Sequence, residues 1–278
     1  MKLLQIATAI LFFSLLGCGH KTIPSGENSK SVNENQAPVS ILTYNIHHAN
    51  PPSKPGLIDV NAIANVIKQQ GVGVVALQEV DVHTSRSGVS LNEAEEIARL
   101  TGMTAFFAKA VDYGGGEYGV AILSKYPMKN MKNTPLPTDD ATKGEHRTLA
   151  TATIVLPDNK KFLFACTHLD AQGADVNRQL QIKKILEVLK NESLPVVIAG
   201  DLNAVPTSDV IKQLDSYFMR SCTVDCPFTI PETVPNKTID YIAFAPSTKF
   251  TVVSHTVIAE KYASDHRPVK AVLGLRQQ

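Results

Sequence analysis

The chain has 278 residues, with 27 basic side chains against 26 acidic ones, and 44% of it is hydrophobic. That is material for one large domain or two small ones, and the near-neutral balance argues against strong non-specific binding to a polyanion, which needs a basic face. Trp is absent and aromatics make up 6%, which argues against a base-stacking platform for single-stranded nucleic acid.

Residues 1–18 open with Lys2, run apolar through 3–16 and end Leu15-Leu16-Gly17-Cys18. The segment is short for a membrane span and reads as an export signal outside the fold. Its ending is similar to a bacterial lipobox, which implies that Cys18 becomes a lipidated N-terminus. A plain secretory signal or an uncut anchor is the alternative. Gly19 in place of Asp implies the outer membrane. Residues 19–38 are polar and read as a flexible tether. A single folded domain is expected over 39–278, because no repeat or linker divides it.

Residues 39–46 read as a strand, followed by His47, His48 and a loop carrying Pro51, Pro52, Pro55 and Gly56. The spacing of Ile58, Ile63, Val66 and Ile67 predicts a helix over 57–70, stopped by Gly71. A buried strand follows at 72–77 and delivers Gln78-Glu79-Val80-Asp81. Residues 83–90, with Arg86, read as a loop. A helix is expected over 91–100, a strand over 104–108, a glycine-rich hairpin at 114–116 and a strand over 118–124 closed by Tyr126-Pro127. No Gly-Lys-Ser/Thr follows the glycines, so they are not a phosphate loop.

Strands at 147–156 and 161–167 flank Pro157-Asp158-Asn159, the spacing of a hairpin. A helix is expected over 176–190. The run 194–200, opened by Pro195 and rich in Val and Ile, reads as a buried strand. A helix over 208–214, capped by Thr207 or Ser208, and strands over 239–245, 250–258 and 269–275 complete the chain. The pattern fits a layered α/β sandwich with mixed sheets. Of the cysteines, Cys166 reads as a small core residue. Cys222 and Cys226 read as a local disulfide of an exported protein; no second Cys or His pair lies nearby to make a metal site.

Polar residues recur at strand ends where a core does not need them: Asn45, Glu79, His168, Asp201 with Asn203, Asp240, and Asp265 with His266. On extended backbone Asp201 and Asn203 point the same way, and burying them is costly unless something uses them. Singly, each has an ordinary reading as a turn former, a cap or a satisfied core histidine. Together they suit a ligand site, because such sites gather at the carboxyl ends of strands in α/β folds.

The segments Thr43-Tyr44-Asn45-Ile46, Leu77-Gln78-Glu79-Val80, Tyr118-Gly119-Val120-Ala121-Ile122-Leu123-Ser124, Thr167-His168-Leu169-Asp170, Gly200-Asp201-Leu202-Asn203, Ile239-Asp240-Tyr241-Ile242 and Ser264-Asp265-His266 stand in this order. In that order the chain from Val39 onward resembles the endonuclease/exonuclease/phosphatase superfamily, which includes deoxyribonucleases, abasic-site endonucleases, neutral sphingomyelinases and inositol polyphosphate phosphatases. The resemblance implies a four-layer α/β/β/α sandwich of two mixed sheets flanked by helices. It implies hydrolysis of phosphoester, chiefly phosphodiester, bonds by water with Mg²⁺, or Mn²⁺ in its place.

By the same resemblance Glu79 is the main metal ligand, with Asn45 beside it and Asp265 contributing. Oxygen donors suit a hard cation, and the lack of a His/Cys cluster argues against zinc. His266 would contact the scissile phosphate, oriented by Asp240. Asp201 would activate or position water, Asn203 would hold that water or a phosphate oxygen, and His168 would donate to phosphate. Whether Asp201 or His266 is the formal base stays open. Glu117, Arg147 and Arg86 are weaker substrate-binding candidates, each with a solvated surface charge as its alternative. The expected partner is a phosphodiester, either nucleic acid or a small or lipid ester, acted on by a membrane-tethered monomer. The rival is a binding protein on the same fold that has lost catalysis, but such a protein should lack Glu79, Asp201 or His266, and all three are present.

Overall fold

A computed structural model of the chain describes residues 37–139 and 141–276. The expected export signal with Cys18, and the expected tether up to Gln36, lie outside the described residues. Strand β1 begins at Ala37, two residues before the expected start. No helix among the described residues is long and apolar enough to cross a membrane.

The first sheet is built from β1 (Ala37–Asn45), β2 (Val74–Val82), β3 (Thr104–Tyr113), β4 (Gly116–Ser124), β11 (Phe250–Val257) and β12 (Val269–Leu275). Its order is β11-β12-β1-β2-β4-β3. The second is built from β5 (Met128–Pro135), β6 (Thr148–Val155), β7 (Lys161–His168), β8 (Val196–Asp201), β9 (Met219–Arg220) and β10 (Asp240–Ala245), in the order β5-β6-β7-β8-β10-β9. Each sheet has one parallel pair at its centre, β1 with β2 and β7 with β8, and antiparallel partners around it. Each parallel pair is joined by a crossover helix, α1 (Val60–Gln70) or α3 (Val176–Leu189). The helices α2 (Glu93–Thr101) and α4 (Asp209–Asp215) complete the outer layers.

Period-two alternation explains the layering. Along β1, Val39 and Ile41 point between the sheets while Leu42 and Tyr44 point to the helices. Along β8, Val197 and Ala199 face inward while Val196 and Ile198 pack under α3 and α4. Both faces are buried, so these strands read as continuous apolar runs rather than alternating ones. The inter-sheet core holds Phe162, Phe164, Ile242, Phe244 and Leu273, and each such side chain contributes about 1.5–3 kcal/mol by leaving water. The architecture is the expected α/β/β/α sandwich.

The helix caps follow the sequence. Asp59, Asn92 and Ser208 accept the N–H of Ala62, Glu95 and Ile211, and Gly71 and Gly102 close α1 and α2 at φ 61° and 68°. Three expectations need correction. The strand expected to end at 108 runs on to Tyr113, so the expected glycine-rich hairpin closes directly between two paired strands. The strand β5 lies in a polar stretch without alternation, at a sheet edge. The strand expected to end at 77 continues to Val82, so Glu79 lies inside it.

Candidate active site

The sequence expectation was of polar residues at carboxyl ends of strands. Asn45, His168 and Asp201 do end β1, β7 and β8. Asp240 instead starts β10, but antiparallel pairing sets it opposite Asp201 on the same edge. His266 precedes β12, which runs antiparallel to β1, and Ser264 Oγ ties that loop down by donating to Asn45 O at 2.7 Å.

Glu79 reaches the site through a bulge. Between β2 and β4, Leu77 faces Ala121 and Val80 faces Gly119, so two β2 residues stand against one on β4. The extra residue turns Glu79 out at φ 57°, while Gln78 stays in the core, accepting from Thr43 Oγ1 and donating to Cys166 Sγ. On β4, Gly119 faces this bulge and a second one in β3, and a Cβ there would lie 2.1 Å from Ala108 O. Gly200 plays the same part for Asp201: a Cβ on it would lie 2.0 Å from Thr167 O.

Asp201 and Asn203 converge, but not by strand alternation. Asn203 has φ 47°, and Asp201 Oδ1 accepts its backbone N–H at 2.8 Å. This is an Asx-type turn, so the ordinary turn reading and the site reading hold together. Asn45 Nδ2 bridges the carboxylates, donating to Glu79 at 3.0 Å and to Asp201 Oδ2 at 3.1 Å.

On one side of Asp201, His266 Nδ1 meets Asp240 Oδ2 at 3.0 Å and its Nε2 lies 3.7 Å from Asp201 Oδ2. Burial pushes the His266 pKa down, but the charge and hydrogen bond of Asp240, with Asp201 and Asp265, outweigh it and hold it up at about 10. Burial and the Asp240 charge raise Asp201 to about 7. His266 is therefore an imidazolium fixed by one carboxylate and facing another.

On the other side, His168 Nε2 lies 3.5 Å from Asp201 Oδ2. Burial, then the Arg147 and His266 charges, push His168 well below the ordinary imidazole range. Arg147 Nη1 stands 3.1 Å from His168 Nδ1. A guanidinium only donates, so it assigns Nδ1 as acceptor and the proton to Nε2. Asn203 Nδ2 donates to Leu169 O at 3.0 Å and also stands 3.0 Å from His168 Nε2, a contact that competes with that tautomer. Arg147 also reaches Tyr118 and forms a close ion pair with Glu145.

These groups line one cavity of about 500 Å³. Of the candidates, Glu79, Arg86, Arg147, His168, Asp201, Asn203 and His266 face it. Asn45 and Asp240 lie directly behind. Two are not brought in. Glu117 points away from its neighbour Tyr118 and pairs with Lys109 at 3.4 Å, as strand alternation requires. Asp265 does not line the cavity, and its carboxylate meets Ser264 Oγ at 3.3 Å. Sequence reasoning missed Tyr118, although it sits in a quoted motif. It also missed Asp81, Tyr113 and Glu93; only Asp81, in the run after β2's apolar stretch, carried a visible signal. The expected disulfide joins Cys222 to Cys226, and Cys166 is buried as expected.

The donor set fits a hard cation. Glu79 and Asp201 share one neutral amide, and Glu79 has no ion-pair partner among the described residues, which leaves a carboxylate for a cation at the cavity floor. The ligand atoms of Asp201, Asp240 and His266 also lie within 4.8 Å of one another, but Asp240 and His266 are already spent on each other.

The signature of the Endonuclease/Exonuclease/phosphatase family matches residues 42–266. The uncharacterized protein YbhP of Escherichia coli K12 is 25% identical over 254 residues, covering 86% of this chain and 98% of that one. An endonuclease/exonuclease/phosphatase structure from Beutenbergia cavernae superposes with a TM-score of 0.70 at 23% identity, over 86% of this chain and 72% of that one. The human Nocturnin catalytic domain, solved with a bound sulfate anion, superposes with a TM-score of 0.69 at 20% identity, over 86% and 94%. The chain therefore belongs to the Endonuclease/Exonuclease/phosphatase family, whose members are hydrolases of phosphoester bonds.

Proposed function

We propose that the protein is a metal-dependent phosphohydrolase that cleaves phosphodiesters by attack of water. The observation that carries this reading is His266, pinned by Asp240 and aimed at Asp201 across the cavity floor. An imidazolium beside a carboxylate of pKa about 7 supplies a donor for a phosphate oxygen and an acceptor for a water proton in one place. His168 adds a neutral Nε2–H donor, and Arg147 keeps it in that tautomer. Mg²⁺, or Mn²⁺, held by Glu79 with Asn45 and Asp201 beside it, would supply a Lewis acid that offsets charge on the phosphate.

A cavity of about 500 Å³, walled by Tyr113, Tyr118, Ile230 and Ile239, suits a small phosphodiester or lipid headgroup. The balanced charge argues against strong non-specific binding to duplex DNA. This favours the small-ester branch over an endonuclease. The same proposal keeps Cys18 as a lipid anchor on an exported, outer-membrane protein. Loss of fatty-acid labelling in Cys18→Ser would support it, and unchanged labelling would refute it.

The test is hydrolysis by the purified full chain of bis-p-nitrophenyl phosphate, p-nitrophenyl phosphate, sphingomyelin and plasmid DNA, with His266→Ala as control. Turnover of the small or lipid diesters, abolished by EDTA and restored by Mg²⁺ or Mn²⁺, is expected. DNA nicking lost in the control would make the protein a nuclease. Activity that survives EDTA would sink the metal assignment. No turnover of any ester would return the scaffold reading.

A further inference from the structure

Two arginines face the cavity, and they differ in what they have left to give. Arg147 is buried: its Nη1 goes to His168 and Tyr118 and its Nη2 to Glu145, and its one spare donor, Nε, is buried away from solvent. Arg86 is 31% exposed. It gives Nε to Asp81 Oδ2 at 2.7 Å and Nη2 to Asp81 Oδ1 at 2.8 Å. Its Nη1 has no hydrogen-bond partner among the described residues.

The fork is held from every side. Asp81 is fully buried and also accepts Thr84 Oγ1 and Ser87 Oγ, each at 2.7 Å. Its own backbone N–H is fixed by Glu93 at 2.8 Å. The guanidinium lies 4.4 Å from the Tyr113 ring and 5.6 Å from the Tyr118 ring. A loop staple needs only the Asp81 contacts. It does not need a guanidinium set against two aromatic rings on a cavity wall, with one nitrogen unspent. The cavity is in the range that encloses a whole small ligand, so a single phosphate at His266 leaves most of it to the rest of the substrate.

We propose that Arg86 is a second anion subsite, reading a further phosphate of the substrate beyond the scissile one. The assignment rests on the phosphohydrolase reading and specifies its substrate class as one with two phosphate groups. Asp81 takes up the arginine's charge but not its Nη1 donors, so the subsite acts by oriented hydrogen bonds to an oxyanion rather than as a bare cation. Preorganisation by Asp81 and the two rings removes most of the ordering cost on binding.

The test is calorimetric titration of the full chain with thymidine 5′-phosphate against thymidine 3′,5′-bisphosphate. A second arm uses inositol 1-phosphate against inositol 1,4-bisphosphate. At least one bisphosphate should bind about tenfold tighter than its monophosphate, and the arm that discriminates names the carrier. Arg86→Lys keeps a cation against Asp81 but loses the fork. It should abolish the discrimination at an unchanged melting temperature, which Arg86→Gln, leaving Asp81 uncompensated, does not guarantee. Equal binding of mono- and bisphosphate in both arms, or discrimination that survives Arg86→Lys, overturns the subsite. Turnover of bis-p-nitrophenyl phosphate without discrimination rejects the subsite and leaves the hydrolase. Discrimination without turnover of any ester rejects the hydrolase and leaves the subsite.

Discussion

His266 and His168 flank the same carboxylate at 3.7 and 3.5 Å, yet their surroundings drive them to opposite charge states. Both are buried, and burial alone would discharge both. Around His266 the neighbours are carboxylates, Asp240 foremost, and they keep the proton on. Around His168 the neighbours are Arg147 and His266 itself, and they keep it off. One residue type therefore supplies a cationic donor and a neutral donor within one cavity, and the difference lies in the partner behind each ring. The two histidines are coupled, because a charged His266 is part of what keeps His168 neutral.

The largest break in this contrast is Asp240→Asn. It removes the charge that sustains the imidazolium and the acceptor that orients it. Turnover of bis-p-nitrophenyl phosphate should fall on the order of 10²–10⁴-fold, with His266 titrating at lower pH. A loss below about threefold would show that Asp240 is only structural. On the other side, Arg147→Gln frees the His168 tautomer and removes a repelling charge. Turnover should drop about tenfold and the His168 pKa should rise; an unmoved His168 resonance would refute the pinning.

A third substitution tests the support behind Arg86. The Glu93 carboxyl is buried with Oε1 unpartnered, and burial raises it from 4.5 to about 8. The folded state holds a proton there that the unfolded state releases. Its stabilising contribution is therefore full below pH 4.5, declines as pH rises toward 8 and is gone above it. Glu93→Gln should flatten the melting temperature between pH 6 and 9, whereas the wild type should lose several degrees. Parallel curves would contradict the assignment. Smallest of all, Glu117→Gln should leave turnover within about twofold, since its ion pair is with Lys109; a larger loss would return it to the site.

Much of this contrast was legible in the sequence, for a physical reason. A polar residue that closes a buried apolar strand has nowhere inexpensive to go, so Asn45, His168 and Asp201 announce themselves. Asp240 and His266 were legible as residues of a motif, but their position rests on antiparallel pairing, which the sequence does not state. Glu79 faces the cavity for a reason the sequence did not carry: the strand runs past it, and a bulge aims it. Residues such as Tyr118, Tyr113 and Glu93 were illegible because aromatics and acids at such positions look like ordinary strand or helix surface until the hairpin and α2 are folded beside β2. The strand β5 escaped because an edge strand open to solvent needs no apolar alternation.

The most direct test is the protonation of the two rings. Heteronuclear NMR of the imidazole nitrogens in the full chain at pH 8 should show His266 protonated on both nitrogens and His168 neutral with its proton on Nε2. A neutral His266 at that pH, or a charged His168, would contradict the division of labour on which the proposed chemistry stands.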